Sequence, residues 1–460
     1  MTDLSACALV LAAGKGTRMY SDKPKVLRTL LGEPMLHYVY SALDTVFEDK
    51  IYTVVGFGAE HVEAAFPDYK SGFVLQKEQL GTGHALQTAW SSVQESGCDY
   101  CFIINGDTPL VNKVTVLDFL DAAVKDKTDL SFLTITPDEE NQFGRVIRDK
   151  DLKVKAIVEA KDYDESVYGP PSGEVNAGIY CLKVSAIDGL LSRLNNENKS
   201  GEYYITDLVD LAVESEMNVT AVNCGNSIDL MGINTPYELS KAESALRFKI
   251  VDDLLRQGVV VHNCECAAVG PKAEIAPGAE ITGPCEIFGK SVISSGCCVE
   301  SNVFMRDAYI AEGATIHSFS HIEKSEVGVG CSVGPYGRLR PGAVLEEGSK
   351  VGNFVEVKKS RLGKGVKASH LTYLGDSEIG AGTNVGAGTI TCNYDGKNKF
   401  KTIIGENVFI GSNTAIVAPV EVGAGALIGA GSTITKKIGE NELAVARGKQ
   451  VNIRRHTEKS

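Results

Sequence analysis

Between Val269 and Ile434 a small aliphatic residue returns every six positions, first as Val269, Ile275, Ile281, Ile287, Ile293, Val299 and Met305. A step of five resets the beat to Ile310, Ile316 and Ile322. Another leads to Val327, Val333, Leu339, Leu345, Val351 and Val357, and two more carry it to Val385. After an interruption it resumes as Ile404, Ile410, Ile416, Val422, Ile428 and Ile434. Helices repeat at about 3.6 residues and strands at about 2, so neither makes this pattern. A six-residue repeat predicts a parallel β-helix, in which each repeat supplies one short strand, one turn and one inward aliphatic side chain. About three repeats, roughly 18 residues, close a triangular coil. Gly crowds the intervening positions, where sharp corners need backbone angles that a β-carbon disfavours. A disordered Gly-rich segment would lack the phase.

The N-terminal half has a different rhythm. Ala6 to Leu11 is a compact apolar run that leads straight into Ala12-Ala13-Gly14-Lys15-Gly16-Thr17-Arg18-Met19, which predicts a buried strand and a tight glycine-rich turn. Strands are expected at Ile51 to Val55, Phe73 to Gln76 and Tyr100 to Asn105, and Ala85, Leu86, Ala89, Trp90 and Val93 form one helix face. Such alternation predicts an α/β, Rossmann-like domain with a largely parallel sheet, whose ligands bind beyond the carboxyl ends of the strands. Leu239, Ala242, Leu246, Ile250 and Leu254 share one face of a helix between Pro236 and Gly258. The expected division is a sheet domain over 1–235, a linker helix over 236–258 and a β-helix over 259–460.

Composition narrows the setting. At 460 residues the chain is too long for one ordinary core, and 43% hydrophobic with 23% charged residues is a globular balance. No run reaches the ~18 apolar residues of a membrane span, and the start Met-Thr-Asp-Leu has no basic segment of a signal peptide, so a cytoplasmic protein is expected. A net charge of −13 argues against a nucleic-acid partner. The twelve cysteines are scattered along the chain, and zinc and redox motifs are not expected. Cys264 with Cys266, and Cys297 with Cys298, read as buried or spare thiols.

The loops carry the candidate chemistry. The turn at Gly14 to Gly16 can turn backbone N–H groups toward an anion, while Lys15 and Arg18 add charge. It is neither a Walker A loop nor G-x-G-x-x-G, because Met19 stands where the last glycine would be. Ser21-Asp22-Lys23-Pro24-Lys25 supplies two more lysines, and L-A-A-G-x-G-T-R-M followed by K-P-K resembles the sugar nucleotidyltransferases. These join a sugar 1-phosphate to a nucleoside triphosphate and release pyrophosphate. Asp107, in Gly106-Asp107-Thr108-Pro109, is a carboxylate at a strand's carboxyl edge, a natural Mg²⁺ ligand. The resemblance extends to Gln76-Lys77-Glu78-Gln79-Leu80-Gly81-Thr82-Gly83-His84-Ala85, Phe143-Gly144-Arg145-Val146, Ile157-Val158-Glu159, Glu174-Val175-Asn176-Ala177-Gly178 and Gly232-Ile233-Asn234-Thr235-Pro236. It implies that Leu11, Ala12, Ala13, Gly14, Lys25, Asn105 and Gly106 line the UTP and UDP-sugar site, and that Gln76, Gly81 and Thr82 read the uracil. It also implies that Gly144, Glu159 and Asn176 hold an N-acetylated sugar, that Asn234 joins Asp107 at Mg²⁺, and that Lys25 and Arg18 take part in catalysis. Many members have an aromatic residue at the position of Asn105. His84 reads as a neighbour of the base-reading residues and not as a catalyst.

Two features of the β-helix exceed what a scaffold needs. One is Lys367-Ala368-Ser369-His370-Leu371-Thr372-Tyr373; a histidine near neutral pH suits proton removal from an attacking amine. The other is the interruption Thr391-Cys392-Asn393-Tyr394-Asp395-Gly396-Lys397-Asn398-Lys399-Phe400, a polar loop on a rigid frame. The repeats resemble the left-handed β-helix of the hexapeptide-repeat acyltransferases. With both halves in order, the chain resembles the bifunctional bacterial enzymes of UDP-N-acetylglucosamine synthesis, which combine a uridylyltransferase with a glucosamine-1-phosphate N-acetyltransferase. That family implies His370 as general base with Glu356 holding its ring, and Arg340, Lys358, Tyr373, Asn384 and Lys399 around glucosamine 1-phosphate. It places Asn393, Tyr394 and the Ala387 N–H at the reaction centre, with Ser412, Ala430 and Arg447 on acetyl-CoA. It further implies a homotrimer built through the β-helix. One rival is a single-activity nucleotidyltransferase with a structural or regulatory β-helix. Zinc at His317 and His321 is a second, but no third imidazole stands beside them.

Overall fold

A computed structural model describes residues 5–67, 72–139 and 141–454. The Met-Thr-Asp-Leu start lies outside these residues. The chain forms two compact units, Met1–Ser244 and Ala245–Ser460.

In the first unit the sheet runs in the order Val219–Asn223, Leu130–Ile135, Val175–Lys183, Tyr100–Asn105, Ala6–Leu11, Ile51–Val55, Gly72–Leu75. Ala6–Leu11 sits at its centre, parallel to both neighbours, and is buried along nearly its whole length. Burial on both faces is what a continuous apolar run specifies. Val175–Lys183 departs from the parallel pattern: it is antiparallel to Tyr100–Asn105 and to Leu130–Ile135. Its register shifts between Asn176 and Tyr180, a bulge that re-aims Asn176. Helix Thr82–Glu95 packs Ala85, Leu86, Ala89, Trp90 and Val93 inward, the predicted face.

The second unit is a three-faced parallel β-helix. Among the described residues its first face has 11 strands, its second 10 and its third 9. Partners lie one coil apart, as Ile281 with Val299 and Ile316 with Val333. Each of the expected inward aliphatics from Val269 to Ile434 is buried, and they join one continuous core. At roughly 1.5–3 kcal/mol per buried aliphatic side chain, this column is the main source of the unit's stability. Close approach between coils adds a second requirement. A β-carbon on Gly352 would lie 2.1 Å from the carbonyl oxygen of Ser369 in the next coil, so this position excludes any side chain.

Glycine makes the corners between the third and first faces, as Gly296, Gly313, Gly330 and Gly348 do with φ from 62° to 69°, but another edge departs from that expectation. Along the edge between the first and second faces, Phe319, Tyr336, Phe354 and Leu371 take left-handed backbone angles, with φ of 62°, 55°, 55° and 47°. Each costs roughly 1–2 kcal/mol relative to the right-handed region. Ring stacking offsets part of this, with Phe319 and Tyr336 centroids 4.9 Å apart and Tyr336 and Phe354 5.1 Å apart.

Candidate active sites

Four contiguous parallel strands of the sheet unit end at Leu11, Val55, Leu75 and Asn105, and their loops surround two adjoining cavities of about 490 and 400 Å³. The larger is lined by Leu11 to Arg18, Lys25, Gln76 and Gly81, and the smaller by Gly144, Glu159 and Asn176. Arg18, Thr82, Asn105, Asp107 and Asn234 border both and form the waist between them. The size and division suit a nucleotide in one lobe and a sugar in the other. Of the expected residues, Gly106 borders neither lobe. It ties two strands together through its N–H to the Leu11 carbonyl, 2.9 Å.

Lys25 organises the waist. Gly16 has φ of 63°, and a β-carbon there would stand 2.7 Å from that of Lys25, so glycine lets the lysine stem pass beneath the loop. The ammonium is buried, and donates to a carboxylate oxygen of Asp107 and, at 2.8 Å, to Asn234 Oδ1. Arg18 Nη2 donates to the same Asn234 oxygen at 2.9 Å. Two oxygens, one anionic and one amide, thus converge on a single cation. Such a donor set fits a hard divalent ion that takes only one or two protein ligands.

Gln76 is 2% exposed, and its Nε2 donates to the Gly81 carbonyl at 3.1 Å and lies 3.0 Å from His84 Nδ1. This pairing fixes the amide that faces the larger lobe and leaves His84 as its support. Gly81 has φ of 110°, and a β-carbon would meet the Tyr203 carbonyl oxygen at 2.4 Å. In the smaller lobe Asn176 donates to the Tyr180 hydroxyl at 2.7 Å and accepts from the Gly178 N–H at 3.0 Å. Glu159 accepts from Thr206 Oγ1 at 3.1 Å. Burial pushes the Glu159 carboxyl above its ordinary range, opposed by that hydrogen bond and reinforced by Asp207 and Asp162. Residues 203–206, Gln142 and Glu238 also shape the site, and sequence reasoning missed them. A Thr-Asp pair at a helix start marks 206, and the T-P-x-E spacing after Asn234 marks Glu238.

In the β-helix unit the expected groups follow one edge. Leu371 donates its N–H to the Asn353 carbonyl, Gly388 to Leu371, Asn413 to Ala387 and Gly431 to Ser412. His370, Ala387, Ser412 and Ala430 therefore stand one above another in successive coils. His370 is exposed, and the Ala387 N–H has no acceptor among the described residues. Arg447 Nη1 reaches the Ala430 carbonyl at 2.7 Å. Round the corner, Glu356 pairs with Tyr373 and Lys358 with Gly375 on the second face. A β-carbon at Gly375 would fall 2.8 Å from Asn393 Nδ2, so the absent side chain leaves room for Tyr373 and Asn393 to close together. Asn393 is buried and donates to Asp376. The protruding loop is closed by the Tyr394–Lys399 bridge, and brings Lys399 beside Lys358. Lys399, with Arg340 behind it, pushes the Lys358 ammonium below its ordinary pKa. A surface that crowds cations in this way is set for an anion.

Two expected groupings are not brought together within one chain. Within one chain Glu356 does not meet the His370 ring: its carboxylate accepts from Arg340 Nη1 at 2.8 Å and lies 3.8 Å from Arg338. The two residues are on different faces, and arginines one coil away neutralise the carboxylate first. Asn384 stands on the first face, beside Lys367, away from Arg340, Lys358 and Tyr373 on the second. The zinc alternative has no support among the described residues: His317 is tied to Glu300 at 2.8 Å and to Ser332 at 3.1 Å, His321 stacks on Phe304, and no three-ligand cluster occurs. All twelve cysteines are free thiols.

Comparison with known proteins agrees with this division. Residues 8–150 match the MobA-like NTP transferase domain, 269–359 the GMPPB C-terminal domain and 401–436 the bacterial transferase hexapeptide (six repeats). The second unit is thus a left-handed β-helix of the hexapeptide-repeat kind. The chain is 56% identical over 97% of its length to Bifunctional protein GlmU of Nitratidesulfovibrio vulgaris strain Miyazaki F, covering 98% of that protein. Identity is 54% to the protein of the same name from Oleidesulfovibrio alaskensis, over 98% of both chains. It is 45% to that of Lawsonia intracellularis, over 98% of this chain and 99% of the other. Relatives matched across both halves bear a bifunctional name, which leaves the single-activity reading without support. With nucleotidyltransferase and hexapeptide-transferase regions in one chain and relatives of this similarity along its whole length, the chain belongs to the GlmU family of bifunctional enzymes.

Proposed function

We propose that the β-helix unit transfers acetyl from acetyl-CoA to glucosamine 1-phosphate, and that the sheet unit then couples the product to UTP, giving UDP-N-acetylglucosamine and pyrophosphate. In the first reaction the amine nitrogen attacks the thioester carbonyl, His370 takes the proton, and the CoA thiolate leaves. The free Ala387 N–H offsets the oxyanion. Arg340, Lys358 and Lys399 bind the phosphate, and Glu356 orients Arg340 toward it. Tyr373, Asn384, Asn393 and Tyr394 surround the sugar, with Ser412, Ala430 and Arg447 along the coenzyme. Asn384 and the cations lie on different faces, which supports a site completed by a neighbouring copy in a homotrimer.

In the second reaction a phosphate oxygen of the sugar attacks the α-phosphorus of UTP, and the bond to pyrophosphate breaks without a covalent enzyme intermediate. Lys25 and Arg18 offset charge on the departing group. Asp107 and Asn234 would hold Mg²⁺, which supplies neutralisation of the triphosphate when bound. The loop from Leu11 to Gly14, with Gly106 behind it, cradles the nucleotide, and Gln76, Gly81 and Thr82 read the uracil. Asn105 lies at the waist, and Gly144, Glu159 and Asn176 hold the acetamido sugar. Among the described residues no helix is long and apolar enough to cross a membrane, consistent with a cytoplasmic enzyme.

The observation that carries the reading is the convergence of Lys25 and Arg18 with Asp107 and Asn234 at the waist of a two-lobed cavity in one unit, while the other unit carries an exposed histidine and crowded lysines. The test is two assays on the full-length protein. Pyrophosphate should appear from UTP only with N-acetylglucosamine 1-phosphate, and free thiol from acetyl-CoA only with glucosamine 1-phosphate. Absence of either product refutes the corresponding half.

A further inference from the structure

We infer that Glu238, in the first turn of helix Pro236–Arg256, is a positioning residue for the nucleotidyl site. Its Oε2 accepts the backbone N–H of Asn234 at 2.6 Å and of Thr235 at 2.9 Å, while Thr235 Oγ1 accepts the Glu238 N–H at 3.2 Å. The last two bonds form a reciprocal capping box, which any helix start can use. The first bond goes beyond capping, because it fixes the backbone of the residue whose side chain meets Lys25 and Arg18. The Asn234 amide is further oriented by its own Nδ2, 3.3 Å from the Gly232 carbonyl. Glu238 borders the smaller lobe, yet this carboxylate oxygen is already committed to two N–H groups. Through this oxygen it acts on the Asn234 backbone.

The inference rests on the reading that Asp107 and Asn234 hold the divalent cation. Removing a residue that orients a metal ligand costs about 10–100-fold in metal affinity. In the full-length protein with UTP, Mn²⁺ binding measured by electron paramagnetic resonance should weaken about tenfold or more in Glu238→Ala. Glu238→Gln, which keeps an accepting oxygen, should stay within about threefold of the parent. Both variants should keep acetyl transfer as a check on folding. Unchanged Mn²⁺ binding in Glu238→Ala, with only a lower unfolding temperature, would reduce Glu238 to a helix cap and overturn the inference. So would a Gln variant as weak as the Ala variant. Asp107→Asn separates the two levels: parental Mn²⁺ binding there refutes the cation site itself.

Discussion

Lys25 and Asn234, far apart in the chain, meet through a 2.8 Å hydrogen bond from the lysine ammonium to the amide oxygen. The contact gathers the glycine-rich loop, the Asp107 strand end and the start of the long helix around one charge. On the proposed mechanism, replacing Lys25 by alanine removes the cation assigned to offset the departing pyrophosphate. Uridylyl transfer should fall about 100–1000-fold, with acetyl transfer unchanged. Asp107→Ala should give the same split, and parallel assays on each purified variant check it.

His370→Ala should lower acetyl transfer by about 100–10,000-fold, the range expected for a general base, and leave pyrophosphate release from UTP at the parental rate. Equal loss of both activities would contradict independent sites.

The Lys358–Lys399 pair makes a prediction about charge. Each ammonium raises the cost of the other until an anion arrives, and Lys358 carries a lowered pKa because of it. Lys399→Met should return the Lys358 ammonium toward its ordinary range, visible by NMR titration. It should also raise KM for glucosamine 1-phosphate about tenfold or more, since hydrogen bonds to charged groups contribute about 1.5–3 kcal/mol.

Asp210 sets a pH dependence of stability. Burial first, then Asp207 and Glu214, push its carboxyl up to about 6, with Lys155 opposing, and its Oδ1 has no partner among the described residues. An unfolded aspartate titrates near 3.9, so the native state binds the extra proton between about pH 4 and 6, and stability falls as pH rises through that window. Asp210→Asn removes the penalty. Its thermal midpoint should exceed the parent's at pH 7.5 by the equivalent of about 1 kcal/mol, allowing for solvent screening at a partly exposed group, and converge with it near pH 4.

Gly352→Ala tests the spacing of the coils. The added carbon would press on the Ser369 carbonyl, next to His370. Acetyl transfer should fall and the β-helix unit unfold at lower temperature, while uridylyl transfer is retained. Overpacking of this kind costs about 1–3 kcal/mol.

The inward column of the β-helix is legible in the sequence because one aliphatic residue per repeat is a local rule that the coil obeys from Val269 to Ile434. The outward positions follow no such rule. Glu356 therefore pairs with Arg340 in a way that only the stacking of coils decides. The corner residues Phe319, Tyr336 and Phe354 were hidden for a similar reason, since ring stacking between coils, and not local preference, sustains their backbone. In the sheet unit, Ala6–Leu11 and Tyr100–Asn105 are legible as buried runs. The reversed direction of Val175–Lys183 is not, because an apolar strand reads alike in either sense. Gly81 announces a special turn, but its reason, the Tyr203 carbonyl, lies far along the chain.

The paired positions Ile281 with Val299, and Ile316 with Val333, have a bearing on how such a gene can change length. Excising one full circuit would leave every remaining side chain pointing as before, whereas losing a single codon mid-strand would turn polar groups inward until a corner absorbs the error. The long detour between Thr391 and Thr402 escapes this arithmetic, because it departs from and rejoins the same frame. Reshaping that detour would thus let mutation alter the proposed acetyl site without disturbing the column that supports it.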